Sequence, residues 1–521
     1  MPELSRPAPA VATGDTTGLL SLRSASGRWI VAATVLGSGM ASIDATVVGI
    51  ALPTIGRDFN ARVSELQWVT NAYTLALAGL LLLGGSLGDR FGRRRVFVIG
   101  SVWFAAASMI CAVAPDAQAL IAARALQGVG AALLMPGSLA ILQASFAASD
   151  RPKAIGAWSG LGGVATAIGP FVGGWLIGAA SWRLIFFINV PVAIAVVAVA
   201  SRHVPESRDP TSAGRIDVAG AVLVSSGLAG VVYGLTEAAS QGWAAPVTVV
   251  SIAAGVALLV AFLVAEARRR APMMPLGVFR SGQFSGANAV TFVVYGGLGG
   301  ALFLLPIQLQ QVIGFSPLAA GTALLPITVI MLVLSSRSGA LAARIGPRLQ
   351  MSVGPLLVAA GLALMSRIGA GGDYVSEVLP AVVVLGFGLA VTVAPLTAAV
   401  LAAAPIEHSG IASAINNDVA RIAGLIAVAV LPTIAGLTGD SYLHPAVFSA
   451  GFHVAVLIAA GACVVGALIA VLTIRNPGRG AAEPPREGWQ CALDAPPLFG
   501  ENDDAPAGSS VIAGRAAGMG S

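Results

Sequence analysis

The sequence predicts an all-α integral membrane protein of about fourteen spans, and three observations predict it. Hydrophobic residues make up 56% of the 521 residues and charged residues only 10%, against about 25% charged in soluble domains; mean hydropathy is +0.86. Apolar runs bounded by charge or turn residues recur at about 29–52, 68–88, 96–114, 118–144, 154–178, 184–201, 216–238, 245–265, 284–306, 318–337, 350–367, 378–402, 409–436 and 450–474. Each is close to the roughly 20 residues that cross a hydrocarbon core of about 30 Å. The cations are also segregated. With the N-terminus placed in the cytoplasm, only Arg57, Arg62, Arg183 and Arg367 of the 29 Lys and Arg fall outside. Arg124 and Arg421 fall within spans and the rest fall inside, as the positive-inside rule demands.

The same sorting excludes a nucleic-acid reading of the net charge of +5. The arginines sit in short loops between spans, where positive charge sets orientation. Cys111 and Cys463 lie in spans and Cys491 in a tail, with neither metal-ligand spacing nor a disulfide framework. His203, His408, His444 and His453 form no ligand cluster, so no metal is expected. Residues 1–28 are expected as a disordered cytoplasmic tail without the apolar core of a signal peptide, which leaves the first span as its own insertion signal. Residues 476–521 read as a second disordered cytoplasmic tail.

The chain repeats. Gly85-Ser-Leu-Gly-Asp-Arg-Phe-Gly-Arg-Arg94 follows the second run and Gly339-Ala-Leu-Ala-Ala-Arg-Ile-Gly-Pro-Arg348 follows the tenth, with Ala343 in place of Asp89. Both copies face the cytoplasm, which relates the halves by a parallel repeat. The organisation is then a six-helix half over 29–201, two additional spans over 216–265 and a second six-helix half over 284–475. Transporters commonly bind substrate at such a repeat interface.

Four charges sit inside spans: Asp44, Arg124, Asp418 and Arg421. Each costs roughly 2.5–3.5 kcal/mol on insertion scales, so a polar pathway is the default reading. Asp44 shares a helical face with Gly37, Ala41, Val48 and Ala51, small residues that admit a neighbouring helix. At 1.5 Å per residue, Asp44 and Arg124 both lie roughly 10–14 Å below the outer boundary, so they are placed to pair. Burial favours a protonated carboxylate and a nearby Arg an ionised one; such a site can load and release a proton, or it can simply pin two helices. Asp418 and Arg421, three apart, are spaced to pair on one face, and Asp418 is either a second proton site or Arg421's partner. Gln308, Gln310 and Gln311 read as a solvated end of the ninth span or an entrance, and Glu237 as an interfacial acid.

Several motifs now fall in order. Ser42-Ile-Asp-Ala-Thr-Val-Val-Gly-Ile-Ala-Leu-Pro53, the Gly85–Arg94 loop, Leu120-Ile-Ala-Ala-Arg-Ala-Leu-Gln-Gly-Val-Gly130, the Gly160–Gly174 stretch and Trp182-Arg-Leu-Ile-Phe-Phe-Ile-Asn-Val-Pro191 together resemble the major facilitator superfamily. More narrowly, the chain resembles its fourteen-helix drug–proton antiporters over about residues 29–475. The resemblance implies a fold of two six-helix halves plus two central extra helices. It also implies proton-coupled efflux of hydrophobic or amphipathic small molecules, such as drugs or natural products. Import of another small solute is the alternative; a polytopic enzyme or sensor is more remote, since loop His or carboxylate clusters and a soluble domain are missing.

The implied roles are specific. Asp44, Arg124, Asp418 and Arg421 are the proton-coupling candidates. Gly85, Asp89, Arg90, Gly92 and Arg93 form a gating loop, in which Asp89 and Arg93 are spaced to pair; Ala343 puts a symmetric second latch in question. Gly163, Gly169, Pro170, Gly173 and Gly174 form the antiporter motif, in a span whose glycines, Gly156 and Gly160 included, leave a nearly bare stripe for packing between halves. Gln127, Asn189, Gln308, Gln311 and Asn417 are candidates for the substrate path. No cofactor is expected, the proton gradient serving as energy source; no Walker-type loop is present, so ATP is not expected. The expected partners are the bilayer, protons and a small-molecule substrate.

Overall fold

A computed structural model describes residues 20–147, 149–208, 217–269, 272, 274–403 and 409–476. The described residues are almost all helical, with one isolated bridge, Leu20 to Phe146. Fourteen helices are long and apolar enough to cross a membrane. They are α1 (Ala25–Phe59), α2 (Val63–Phe91), α3 (Arg93–Ala112), α4 (Ala117–Ser145), α5 (Lys153–Ala179), α6 (Leu184–His203) and α7 (Val218–Gln241). Then follow α8 (Pro246–Arg268), α9 (Gly282–Val312), α10 (Pro317–Ile345), α11 (Pro347–Met365), α12 (Tyr374–Ala402), α13 (Ile411–Ile434) and α14 (Pro445–Thr473). Each matches one apolar run. Several extend beyond it, because a helix continues past the hydrocarbon region once a cap is available.

The start of α1 shows such a cap and corrects one expectation. Residues 20–28 were expected in a disordered tail; they are structured. The Ser24 hydroxyl accepts a hydrogen bond from the Gly27 amide, an N-cap. Asp150 accepts from the Leu22 amide and the Ser21 hydroxyl at 3.0 and 3.1 Å. These bonds hold its carboxyl below the usual range, the Leu22 amide contributing most. Residues 1–19, 209–216, 404–408 and 477–521, with His408 and Cys491, lie outside the described residues.

Packing follows the repeat. In the first half α4 packs on α2 and α3, α1 on α5 and α6, and α3 on α6. In the second, α12 packs on α10 and α11, α9 on α13 and α14, and α11 on α14. The loop repeat is preserved in backbone as well as sequence: Gly92 and Gly346 have φ of 115° and 86°, a region glycine alone enters freely. Between the halves α2 packs on α13 and α5 on α10, as the repeat relation requires. Helices α7 and α8 pair with each other, and α7 lies against both α2 and α13.

The halves meet at the face opposite the arginine-rich loops. There Gln67 donates to the Val428 carbonyl at 2.6 Å, Gln310 to that of Ile50 at 2.9 Å and the Tyr442 hydroxyl to that of Ala61 at 2.9 Å. The Val63 amide donates to the Gly439 carbonyl at 2.7 Å. A Cβ added at Gly173 would lie 2.6 Å from the Val47 side chain, and one at Gly174 would lie 2.5 Å from the Pro317 carbonyl. Gly156, Gly160 and Gly163, nearer the arginine-rich face, have nothing within 4 Å of such a Cβ. The bare stripe of α5 is therefore packed over one end only, and the bundle is closed at one face and open at the other.

Candidate functional site

The paired charges in the first half lie at its centre. Asp44 and Arg124 are each 1% exposed. The Arg124 guanidinium donates to Asp44 Oδ2 and, through Nη1, to Gln127 Oε1 at 2.6 Å; its Nε donates to the Val69 carbonyl at 3.1 Å. Asp44 Oδ1 accepts from the Gln127 amide at 2.7 Å and the Asn189 amide at 2.9 Å. Both amides also reach the Ser108 hydroxyl, at 2.8 and 3.2 Å. The guanidinium carbon lies 4.3 Å from the Tyr73 ring centroid and 5.8 Å from that of Phe186, which adds cation–π attraction.

Local structure makes this arrangement. Arg124 and Gln127 are three apart and lie on one face of α4. Pro191 clashes with the carbonyl four residues back, and α6 is broken after Phe187; Asn189 follows the break. Small neighbours let helices close in: a Cβ at Gly128 would meet the backbone of Tyr73. The result is a carboxylate with a charged partner and two amide donors, sealed from solvent. Each carboxylate oxygen has a partner, and loss of the carboxylate charge would leave Arg124 a buried cation without its counter-ion.

A cavity of about 450 Å³ opens beneath this network at the arginine-rich face. Leu81, Gly85, Asp89, Met135, Trp158 and Ala140 line it from the first half, and Ser413, Asn417 and Arg421 from α13. The wall is mostly apolar with a few polar groups, the usual character of a small-molecule site. Asn417 is exposed and donates to the Ser413 carbonyl at 3.0 Å. Arg421 reaches Met135 Sδ of the other half at 3.6 Å.

The Gly85–Arg94 loop lies at the rim. Asp89 and Arg93 pair at 2.8 Å, as their spacing predicts. Gly92 makes the turn, and Arg90 stacks over Phe91 at 5.7 Å. Glu206, at the end of α6, accepts from the Arg94 amide at 3.1 Å and sits 3.8 and 3.7 Å from the Arg94 and Arg95 side chains. Sequence reading missed Glu206, although it is an acid one turn past a span that ends in Arg202 and His203.

Other predicted residues fall elsewhere. Gln127 and Asn189 lie within the Asp44 network rather than on the cavity wall. Gln308 is buried and donates to the Ile368 carbonyl at 2.7 Å; Gln310 belongs to the closed face, and Gln311 Nε2 is buried with no hydrogen-bond partner among the described residues. The expected solvated helix end is therefore a packed seal, made by a π-helical turn at Gln308–Val312. Asp418 and Arg421 do not form an ion pair among the described residues; the two side chains diverge, Arg421 into the central cavity and Asp418 into a second one. Glu237 accepts from Ser240 and Gln241 on its own helix, a local bond pattern at an interfacial end.

The sequence profile of the Major Facilitator Superfamily matches residues 34–428. The chain belongs to the major facilitator superfamily. Relatives within the superfamily include the tetracenomycin C resistance and export protein of Streptomyces glaucescens, 36% identical over 412 residues, or 79% of this chain and 76% of that one. Another is the puromycin resistance protein pur8 of Streptomyces alboniger, 36% identical over 457 residues, or 85% of this chain and 90% of that one. Among solved structures the fold is similar to the POT family transporter PepTSo, with a TM-score of 0.64 and 13% identity over 85% of this chain and 97% of that one. A major facilitator chain is a membrane protein that moves a small molecule, and the resistance and export relatives sharpen the family recognised from the sequence motifs.

Proposed function

We propose that this major facilitator protein exports hydrophobic or amphipathic small molecules, such as drugs or natural products, across the plasma membrane in exchange for protons. One observation carries the reading: a mostly apolar cavity, open at the arginine-rich face, lies beneath a sealed, ionisable Asp44–Arg124 network. The excess of arginine on that face favours a cytoplasmic side for it and for both ends of the chain. The resistance and export relatives favour outward movement of toxic compounds. Intramembrane acids and the missing Walker-type loop favour the proton gradient over ATP, with no cofactor.

The network supplies a coupling device. Ionised Asp44 holds Arg124, Gln127 and Asn189, and so ties α1 to α4 and α6. A proton on Asp44 removes its charge and weakens each of those bonds, which frees α1 to shift against α4. Closure at the cytoplasmic face would bring the bare Gly156–Gly163 stretch of α5 against the second half. The Asp89–Arg93 loop would then latch across to the second half. A susceptibility screen of deletion and overexpression strains against chemically diverse toxic compounds tests the reading. Deletion should sensitise and overexpression protect; a chain that protects against nothing while solute uptake depends on it is an importer.

A further inference from the structure

A second cavity lies beside the first, on the other side of Leu82, where α7 and α8 lie over the junction of α2 with α13. Its volume is about 320 Å³, within the range of about 300–1,000 Å³ typical of small-molecule sites. Leu82 of α2, Val224 and Leu228 of α7, and Phe262 and Leu263 of α8 form apolar walls. Met274 and Phe279 close one end from the loop before α9, which is anchored where the Met274 amide donates to Glu266 at 2.8 Å. Among the described residues lining the cavity, Asp418 alone ionises.

Asp418 is 9% exposed, and its Oδ1 is buried with no hydrogen-bond partner among the described residues. Arg421 leaves it for the central cavity. A carboxylate at membrane depth is costly unless paired, and an unpaired buried acceptor adds its own desolvation cost. A neutral occupant would cover the apolar wall and leave the carboxylate unmatched; an anion would be repelled. A cation on an apolar body satisfies both the wall and the acid, and the rings of Phe262 and Phe279 add attraction for it.

We propose that this lateral cavity is a second binding site, separate from the central one, for a monocationic amphiphile such as an ammonium or phosphonium on an apolar body, with Asp418 as its counter-ion. It also gives the extra helix pair a task, since α7 and α8 supply one side of the wall. The proposal deepens the export reading and rests on it for the class of molecule. The test is equilibrium binding of tetraphenylphosphonium to the full chain in phosphatidylcholine nanodiscs.

Wild type should bind saturably. Asp418→Asn should weaken binding by about tenfold or more, the loss of one charge-assisted contact. Val224→Trp, which fills the lateral cavity and leaves the central wall untouched, should weaken it as much. Should Val224→Trp melt early in detergent, Leu263→Trp fills the same space. Absence of saturable binding in wild type overturns the site. So does affinity that survives the filling variant while Asp418→Asn lowers it, because the cation would then occupy the central cavity. A wild type that exports uncharged compounds but does not bind the probe overturns the lateral site alone; one that binds the probe and exports nothing overturns the export reading alone.

Discussion

Asp44 and Arg124, 80 residues apart in sequence, form an ion pair in which each residue is 1% exposed. The pair joins α1 to α4, and its unused capacity is filled by Gln127, Asn189 and the Val69 carbonyl. Helix packing and the proposed proton coupling therefore rest on the same few atoms.

Removing one partner should cost more than removing both. Arg124→Ala strands a buried carboxylate, which typically costs about 3–5 kcal/mol, whereas Asp44→Ala combined with Arg124→Ala strands nothing. Melting of the detergent-solubilised protein should fall in each single variant and recover in the double, without recovery of coupled transport. Additive losses would mean that the pair contributes no interaction energy.

The glycines of α5 should divide by position. Gly174→Leu drives a Cβ to 2.5 Å from the Pro317 carbonyl and 2.6 Å from Leu318 Cα. Overpacking of this kind costs about 1–3 kcal/mol and should bias the chain away from closure at the face opposite the arginine-rich loops. Gly160→Leu meets nothing within 4 Å and should leave this conformation intact while blocking its inner closure. Maleimide labelling at Ser413→Cys, on the cavity wall and in a Cys491→Ser background, should fall for Gly174→Leu and persist for Gly160→Leu. Equal labelling in the two would contradict the division.

The N-terminal tie should depend on pH. The Asp150 carboxyl sits below its ordinary value, chiefly because of the Leu22 amide bond. A depressed folded value means that the tie is fully present above the ordinary carboxylate range and is lost as pH falls through the depressed value. Protection of the Leu22 amide from hydrogen exchange should decline on acidification and be weak at every pH in Asp150→Ala. Unchanged protection in that variant would remove the tie.

Much of this was legible in the sequence because the bilayer imposes one length and one polarity on every span. The Asp44–Arg124 pair followed from counting depth along two antiparallel helices, and the Asp89–Arg93 pair from a four-residue step. Rotation about a helix axis was not legible. Asp418 and Arg421 share a turn of α13, yet neighbouring helices draw them toward different cavities. Ser108 carried no signal: it donates to the Phe104 carbonyl of its own helix just as Ser101 does to that of Phe97, and only the fold shows that it also receives the Gln127 and Asn189 amides. Gln310 looked solvated because sequence shows a helix end but not the first half packed over it.

Uptake into proteoliposomes with an acidic lumen and no ATP tests the central role of Asp44 most directly. Wild type should concentrate substrate in the lumen as protons leave, and uncoupler should stop it. Asp44→Asn keeps the size and the acceptor for Arg124 but cannot ionise; it should remain folded, bind substrate and fail to concentrate it. Uptake by Asp44→Asn equal to wild type would contradict the account.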